Sequence, residues 1–407
     1  MGGDVLLISI FRGATANGTE QTAAKSSTAL AIELENVRLF QSYFMGGFEG
    51  SSHRRHDGYQ LDLLAMTRHD ELVALDYRMV SACGITTVRD ALRWHLIEQS
   101  PGVYSWSSVM PMLQAARQVG VQVIWDLCHY GLPHDIDIWT PAFVDRYAAF
   151  AGAAARVIAA ESDAVPFYCP MNEISYWAWA GGDHGLMYPY GKACGAALKR
   201  QLIRAATAAI DAVREVDPRA RFVQAEPLIN VVGQPHEPED IAAAEEHRQA
   251  QFEVFDMLAG RICPELGGTE AHLDIVGVNF YFNNQWFRNG PTIPFGDAAY
   301  RPLRSLLHEV ASRYGRPILI TETGTEGESG PGWLRYVTGE LRAARRAGIT
   351  IEGVCIYPVM DYPAWDNGRH CRCGLLQADP AWQTRRLDTA LRDQMAEEQA
   401  MMVLTGV

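Results

Sequence analysis

The stretch PILITETG, residues 317–324, points most directly to the fold. Ile318, Leu319 and Ile320 form a short apolar run after a proline, which is typical of a strand buried on both faces in a parallel sheet. The run ends in Glu322, and a carboxylate at the end of a buried strand is costly unless it lies in a polar cleft or has partners. Glu322 is therefore either the first exposed residue of a loop or part of a polar site, and the rest of the chain has to decide.

Seven other stretches of the chain have the same form. The eight apolar runs cover residues 43–48, 86–91, 121–127, 166–172, 221–226, 274–281, 317–322 and 351–358. Longer segments with helical spacing, such as 145–160 and 196–216, lie between them. Single strands that alternate with helices predict a parallel sheet.

Eight strands in this order favour a closed (β/α)8 TIM barrel, and a doubly wound open sheet is the main alternative. An open sheet that binds a dinucleotide would carry a glycine-rich phosphate loop after its first strand, but GGFEGSS, residues 46–52, has its glycines at another spacing. We therefore predict an α/β fold with a single TIM barrel over residues 41–395. An irregular N-terminal arm is expected at residues 1–40 and a C-terminal tail at residues 396–407.

Composition narrows the classes of partner and cofactor. The formal net charge of −13 argues against nucleic acid or an anionic membrane surface as a partner. The apolar stretch Val5–Ile10 is too short to span a bilayer, and the expectation is a cytoplasmic protein. The eight cysteines are expected to be free thiols, and HCRC, residues 370–373, lacks a second ligand pair at a usual zinc spacing. No metal and no organic cofactor is predicted.

Polar and aromatic residues collect at the predicted C-terminal ends of the strands, where a TIM barrel carries its active site. These residues are His53, Arg54, Arg89, His129, Asn172, Glu173, Glu226, Asn279, Tyr281, Glu322, Tyr357 and Trp365. Two glutamates at strand ends, with hydrogen-bond donors and indole rings around them, suit glycoside hydrolysis. In that reaction one carboxylic acid protonates the leaving oxygen while a second carboxylate attacks the sugar or activates water.

From Phe44 to Leu376 the chain resembles the family 1 glycoside hydrolases, the retaining β-glucosidase family of the large (β/α)8 glycosidase clan. The resemblance rests on motifs in the family's order: CHYGLP (128–133), MNEI (171–174), VNFY (278–281), ITETG (320–324) and YPVMDYPAWDNGRHCRCGL (357–375). Each motif is weak by itself, whereas their order and spacing together are specific.

The resemblance implies a role for each matched residue. Glu173 would be the acid/base and Glu322 the nucleophile of a retaining β-glycosidase that hydrolyses, or transfers, a β-linked sugar. The remaining implied contacts to a small carbohydrate or glycoside are Arg89, His129, Asn172, Asn279, Tyr281, Tyr357 and Trp365.

The chain departs from the family on the substrate side. The family's glycone-binding glutamate is Ala364 here, its strand-one glutamine aligns with Arg54, and Tyr357 and Ile174 stand where the family has tryptophan and proline. A guanidinium matches the geometry of a carboxylate, so Arg54 is predicted to contact the substrate and would suit an anionic or oxidised sugar.

Other interpretations stay open at the level of sequence. A carbohydrate-binding protein on a glycosidase barrel would fit the altered glycone contacts, although such a protein has no need for both carboxylates and Arg89. A metal-dependent hydrolase would need clustered His and Asp ligands at the strand ends. Glu226 could rival the catalytic pair, or it could line the cleft or begin a helix.

Overall fold

The computed structural model describes residues 39–405, and within them eight parallel strands form a closed barrel. The strands are β1 (Phe44–Gly47), β2 (Thr87–Ala91), β3 (Gln122–Asp126), β4 (Phe167–Cys169), β5 (Arg221–Pro227), β6 (Ile275–Asn279), β7 (Ile318–Thr323) and β8 (Ile351–Ile356). Each strand pairs with its neighbours in chain order. The ring closes where β1 pairs with β2 (Gly47 with Arg89) and with β8 (Gly46 with Ile356).

The TIM barrel predicted from the sequence is thus confirmed, and all eight strands lie within the predicted runs or extend one residue beyond them. Five of the strands end one to three residues earlier than predicted, β4 and β6 among them. β4 ends at Cys169 and not at residue 172, because Pro170 has no backbone N–H to donate to the next ladder bond. β6 ends at Asn279, and the backbone N–H of Phe280 instead donates to the carbonyl of Glu322 at 2.9 Å.

Helices lie between the strands and cover the barrel. The long helices are α1 (His69–Ser81), α2 (Met110–Val119), α3 (Pro141–Glu161), α4 (Gly195–Val216), α5 (Pro238–Gln249), α6 (Leu303–Tyr314), α7 (Gly330–Arg346) and α8 (Thr389–Thr405). Short α-helices cover Leu63–Met66, Trp94–Ile97, Ile174–Trp177 and Glu253–Leu258, and a π-helix covers Ala178–Asp183. Short 3-10 turns cover Ala250–Phe252, Pro264–Leu266 and Gly327–Ser329.

Paired short strands outside the barrel are Glu98–Ser100 with Val103–Tyr104, Asn230–Val232 with Gln285–Phe287, Tyr362–Pro363 with His370–Cys371, and Leu376–Ala378 with Arg385–Leu387. These pairs lie in the loops and rim of the barrel. None of them interrupts the ring of eight strands.

The predicted helical spacing of α4 identifies the face that packs on the core. Its residues Leu198, Leu202, Ala205, Ala209 and Val213 are fully buried. These positions recur every three or four residues, so they form one apolar stripe along the helix. The stripe belongs to the core of the protein.

The predicted barrel domain is bounded by an N-terminal arm and a C-terminal tail. Residues 1–38 of the predicted N-terminal arm lie outside the described residues. At the other end, the boundary predicted after residue 395 falls inside α8. The helix continues because Met395, Glu398 and Met402 are buried, and Glu398 accepts a 2.7 Å hydrogen bond from Thr338 Oγ1 of α7.

Strand β2 places its side chains alternately inside and outside the barrel. Arg89 contacts residues of the barrel interior, whereas Asp90 accepts hydrogen bonds from His69 (2.9 Å) and Tyr77 (2.7 Å) of α1. This is the alternation of a strand with period two. The buried charges around Asp90 therefore fix the strand that carries Arg89.

No helix within residues 39–405 is long and apolar enough to cross a membrane.

Candidate active site

Arg89 lies at the centre of the polar cluster at the C-terminal end of the barrel. Its side chain is buried, with 1% exposed, and its guanidinium donates to Glu322 Oε1 at 2.7 Å. Two further donors form a fork to Asp126 at 2.8 Å each, and Nη2 also donates to Asn172 Oδ1 at 2.6 Å. One guanidinium thus fixes side chains from β3, β7 and the loop after β4. The fork to a carboxylate is a geometry that lysine cannot reproduce.

Glu322 ends β7 and is held by two donors. Arg89 contacts one carboxylate oxygen, and the Tyr281 hydroxyl donates to the other at 2.9 Å. Burial raises the pKa of Glu322, Arg89 opposes this rise and the charge of Glu173 adds to it. The side chain is buried but not closed off, with 7% of it exposed. Glu322 is therefore a carboxylate in a polar cleft and not the first residue of an exposed loop.

Glu173 follows β4 in a strained backbone conformation. Its φ is +40°, in the left-handed region that residues other than glycine rarely adopt. Asn279 Nδ2 donates to one oxygen at 2.8 Å, and the Tyr130 hydroxyl donates to the other at 3.0 Å. Burial raises the pKa of Glu173, the hydrogen bond from Asn279 opposes the rise, and the charge of Glu226 adds to it. Among the described residues, no arginine or lysine forms an ion pair with Glu173.

Hydrogen bonds connect the two glutamates into one cluster. Asn172, which accepts from Arg89, donates from Nδ2 to Tyr130 at 3.0 Å, and Tyr130 donates to Glu173. On the opposite side Asn279, which donates to Glu173, accepts a 2.6 Å hydrogen bond from Thr321, the residue before Glu322. Both carboxyl groups therefore face the same cleft, although 149 positions separate them in the chain.

His129 is held between two members of this cluster. Its Nδ1 lies 3.0 Å from Asp126, and its Nε2 lies 3.0 Å from Asn172 Nδ2. Burial lowers the pKa of His129, but the hydrogen bond to Asp126 and the charge of Glu49 outweigh burial and raise it. With Nδ1–H donating to Asp126, Nε2 of the neutral ring accepts from Asn172.

Aromatic rings form the walls of the cleft. Tyr357 lies parallel to His129 with ring centroids 6.2 Å apart, and the Arg89 guanidinium is 5.3 Å from the Tyr357 ring. The ring of Tyr357 packs against β1 at Gly47, where a Cβ atom would lie 2.1 Å from Tyr357 Cδ2. Glycine is therefore required at that point of close approach. Trp365 lies on the other wall, 6.0 Å from the Tyr130 ring.

The predicted contact at Arg54 is the exception. Its guanidinium lies 4.5 Å from the centre of the Tyr188 ring, and within residues 39–405 it forms no ion pair with the cluster. Its neighbour His53 faces the cleft instead, 4.9 Å from Trp365. Residues 54 and 55 pair with Gln60 and Met187 in short β-bridges, so successive side chains there face opposite sides.

Arg55 points to the same side as His53 and contributes a contact that the sequence did not suggest. It donates to the carbonyls of Trp365 and Asp366, at 2.9 Å each. The loop after β8 that carries Trp365 is therefore fixed by the loop after β1.

Glu226 has a role of its own behind Glu173. It is fully buried at the end of β5 and accepts hydrogen bonds from the backbone N–H groups of Ile174 (2.7 Å) and Ser175 (3.0 Å). These groups begin the helix Ile174–Trp177, so the interpretation of Glu226 as a helix-start residue agrees with the geometry. Its carboxylate holds the backbone that follows Glu173 in place.

Sequence reasoning gave no role to four residues that complete the cluster: Glu49, His53, Asp126 and Tyr130. Glu49 directly follows a predicted strand and Asp126 is the last but one residue of another, which is a signal that could have identified them. His53 stood among the residues at this end of the barrel and Tyr130 lies in the motif CHYGLP, but only the fold shows which way they face. Trp177 is buried and donates to the Tyr188 carbonyl at 2.8 Å, so it packs the loop.

The segment HCRC, residues 370–373, forms hydrogen bonds with Asp361. His370 Nε2 lies 3.2 Å from Asp361, and the backbone N–H of Cys373 donates to the same carboxylate at 3.1 Å. Within the described part of the chain, no group of three His, Cys, Asp or Glu side chains is placed to hold a metal ion. All eight cysteines are free thiols.

Comparison with known proteins identifies the fold. No protein-family model and no curated protein sequence matches this chain. Solved structures do match. A family 1 β-glucosidase from Thermotoga maritima superposes with a TM-score of 0.69 at 15% identity, covering 89% of this chain and 98% of that one. This chain has the fold of the family 1 β-glucosidases.

Two further solved structures superpose on most of this chain. An enzyme from Alicyclobacillus herbarius gives a TM-score of 0.74 at 18% identity and covers 89% of this chain and all, 100%, of its own. A rice β-glucosidase mutant in a covalent complex with glucose gives 0.70 at 17% identity and covers 87% and 97%. The resemblance stated from the sequence is confirmed for the fold, and the low identities mark a divergent chain.

Proposed function

We propose that this protein is a retaining β-glycosidase that works on a small β-linked glycoside, with Glu322 as nucleophile and Glu173 as acid/base. The observation that carries the proposal is the asymmetry of the two carboxyl groups in one cleft. Glu322 has the guanidinium of Arg89 on one oxygen and a tyrosine hydroxyl on the other, whereas Glu173 has only neutral donors. The fold of the family 1 β-glucosidases supports the same assignment.

The two carboxyl groups differ in what acts on them: the charge of Glu173 raises the pKa of Glu322 while Arg89 lowers it, and the charge of Glu226 raises the pKa of Glu173. When the pair holds one proton, that proton rests on Glu173, since Arg89 stabilises the charge on Glu322. Glu322 is then ready to attack and Glu173 to protonate. This chemistry requires that the two carboxyl groups lie in different environments, so that one is ionised while the other is protonated.

In the first step the Glu322 carboxylate attacks the anomeric carbon while Glu173 gives its proton to the glycosidic oxygen. The aglycone leaves as an alcohol, and a glycosyl ester forms on Glu322. In the second step Glu173, now a carboxylate, takes a proton from water, and that water displaces Glu322 from the sugar. Two inversions give net retention, and the expected separation of the carboxyl groups is about 5–5.5 Å.

The surrounding residues bind and orient the sugar in this proposal. Asn172 and His129 present an amide and a ring nitrogen at the cleft, Asn279 and Tyr281 hold the two catalytic carboxylates, and Trp365 and Tyr357 supply flat faces. Aromatic faces pack against the C–H face of a sugar ring, and the hydroxyl groups take the hydrogen bonds. No metal or organic cofactor takes part in this mechanism.

The test is a panel of 4-nitrophenyl β-glycosides with neutral and anionic glycones, measured for wild type, Glu322→Gln and Glu328→Gln. Glu328 is exposed in the loop after β7, so its variant is a matched control. We expect wild type and the control to release 4-nitrophenol and Glu322→Gln to lose on the order of 10⁴-fold or more in kcat, as for other nucleophile deletions. A 2-deoxy-2-fluoro glycoside should leave its sugar covalently on Glu322, seen by peptide mass spectrometry.

Two outcomes would contradict the proposal. Equal activity of wild type and Glu322→Gln would exclude Glu322 as the nucleophile. Sugar binding without release of any aglycone would favour the second function, a carbohydrate-binding protein on a glycosidase barrel, which the loss of a carboxylate at Ala364 makes worth testing.

A further inference from the structure

A third carboxylate, that of Glu49, lies in the same cleft as the proposed catalytic pair. Glu49 follows β1, and its Oε1 lies 3.7 Å from His129 Nε2 at the end of β3. The next residue, Gly50, donates its N–H to the Tyr357 hydroxyl at the end of β8 at 3.4 Å. Glu49 thus stands between two residues of the sugar cleft. Its charge also acts on Glu322 and on Tyr176 of the opposite wall.

Only half of the Glu49 carboxylate is used by the protein. Oε1 accepts hydrogen bonds from the Ser51 hydroxyl (2.6 Å) and from the Ser51 backbone N–H (3.0 Å). Within residues 39–405, Oε2 has no hydrogen-bond partner, although only 8% of the side chain is exposed. Oε2 is not among the fully buried atoms, so it stays accessible and can accept a hydrogen bond from a donor supplied by a ligand.

The charges around Glu49 decide what kind of ligand fits. Among the described residues of the cluster, the one guanidinium of Arg89 already pairs with Asp126 and Glu322. Glu49 adds a further carboxylate, and no arginine or lysine of the described residues forms an ion pair with it. His53 supplies no positive charge at neutral pH, because burial lowers its pKa to about 3. The cleft therefore stays negative even when His129 is protonated.

We propose that Glu49 is a specificity-determining residue that accepts hydrogen bonds from the glycone through Oε2 and favours neutral and amino sugars over uronates. The proposal rests on the assignment of this cleft to a sugar. It replaces the expectation of an anionic glycone, which depended on Arg54, because the Arg54 guanidinium lies on Tyr188. An amino sugar gains an ion pair with Glu49, a neutral sugar gains a hydrogen bond, and a uronate meets like charge.

The experiment measures binding, so that it does not depend on turnover. D-Glucosamine, D-glucose and D-glucuronate are titrated into the full-length protein by calorimetry at about pH 6, where an ordinary amine is protonated. Wild type should bind glucosamine at least as tightly as glucose, and glucuronate at least about tenfold more weakly than glucose. Glu49→Gln should weaken the affinity for glucosamine by about tenfold and bring the affinity for glucuronate close to that for glucose.

Two matched variants separate charge from folding. Glu49→Asp keeps the charge on a shorter side chain, so it should bind every sugar more weakly but keep the order of the three. Glu328→Gln removes an exposed charge at the same end of the barrel and should leave all three affinities unchanged. Circular dichroism of each variant confirms that the barrel is intact.

The possible failures can be told apart. Glucuronate bound by wild type as tightly as glucose, an unchanged order in Glu49→Gln, or no sugar bound at all would overturn the role of Glu49. If the expected order is found but wild type releases no aglycone from any aryl glycoside, the role of Glu49 stands and the proposed catalytic function falls. If aglycone is released without preference among the three glycones, the proposed catalytic function stands and the role of Glu49 falls.

Discussion

A fully buried charged network outside the barrel gives a prediction about stability. His69 of α1 lies between two carboxylates, with Nδ1 2.8 Å from Asp76 and Nε2 2.9 Å from Asp90. Arg385, from the short strand Arg385–Leu387, donates to Asp76 at 2.9 Å. The side chains of all four residues are 0% exposed. Replacing His69 with glutamine removes one positive charge from between the two carboxylates.

The magnitude follows from the pKa of His69. Burial by itself lowers this pKa, but the charges and hydrogen bonds of Asp90 and Asp76 outweigh burial and raise it from 6.5 to about 9. A proton held more tightly in the folded than in the unfolded chain stabilises the fold. Its contribution is fully present below pH 6.5 and is lost as pH rises to about 9. A rise of this size corresponds to about 3 kcal/mol of unfolding free energy, lost at ~1.4 kcal/mol per pH unit.

Urea unfolding across this pH range, for wild type, His69→Gln and the exposed-histidine control His308→Gln, tests the prediction. The free energy of unfolding of wild type and of the control should fall by about 3 kcal/mol more than that of His69→Gln. Titration of the His69 ring by NMR in wild type gives the pKa without any substitution. A ring pKa near the ordinary value, or parallel pH dependences of wild type and His69→Gln, would refute the reasoning.

Three further predictions concern the cleft. Glu226→Gln removes the charge that raises the pKa of Glu173, so the basic limb of the kcat/KM profile should move to lower pH; a move to higher pH would contradict the positioning role. Arg89→Lys keeps the charge but loses the fork to Asp126, so Glu322 is less firmly held and kcat should fall by at least on the order of 10²-fold, as measured with an aryl glycoside; an unchanged kcat would contradict the role of Arg89. Glu173→Gln should lose roughly 10²–10⁴-fold on glycosides with poor leaving groups and much less on dinitrophenyl glycosides, because only the former need an acid; an equal loss on both would contradict the assignment.

The sequence predicted the barrel because each strand carries its own signal. A run such as residues 318–320 is apolar throughout, since both of its faces are buried, and the helical stripe of α4 has its own period. Residues that end such a run, like Glu322, are thereby assigned to one end of the barrel before any contact is known. For the same reason the cluster of Arg89, Glu173 and Glu322 could be expected from a list of strand ends.

The loops after the strands were not predictable in the same way. In the loop after β1 a one-residue difference decides which side chain enters the cleft, and it is His53 and not Arg54 that does so. The continuation of α8 past residue 395 depends on contacts with α7, such as that of Glu398 with Thr338. Neither result follows from a local pattern, because both depend on distant residues that the fold brings near.

The chain by itself determined the kind of fold and the chemical groups at one end of it, because hydrophobic period and strand ends are local properties of sequence. The tertiary structure alone decided which of those groups contact one another. Arg89 selects Glu322 by contact, Glu226 supports the backbone after Glu173, and Glu49 keeps one oxygen free. These distinctions arise from distances of a few ångströms between residues far apart in the chain, and only the closed barrel sets such distances.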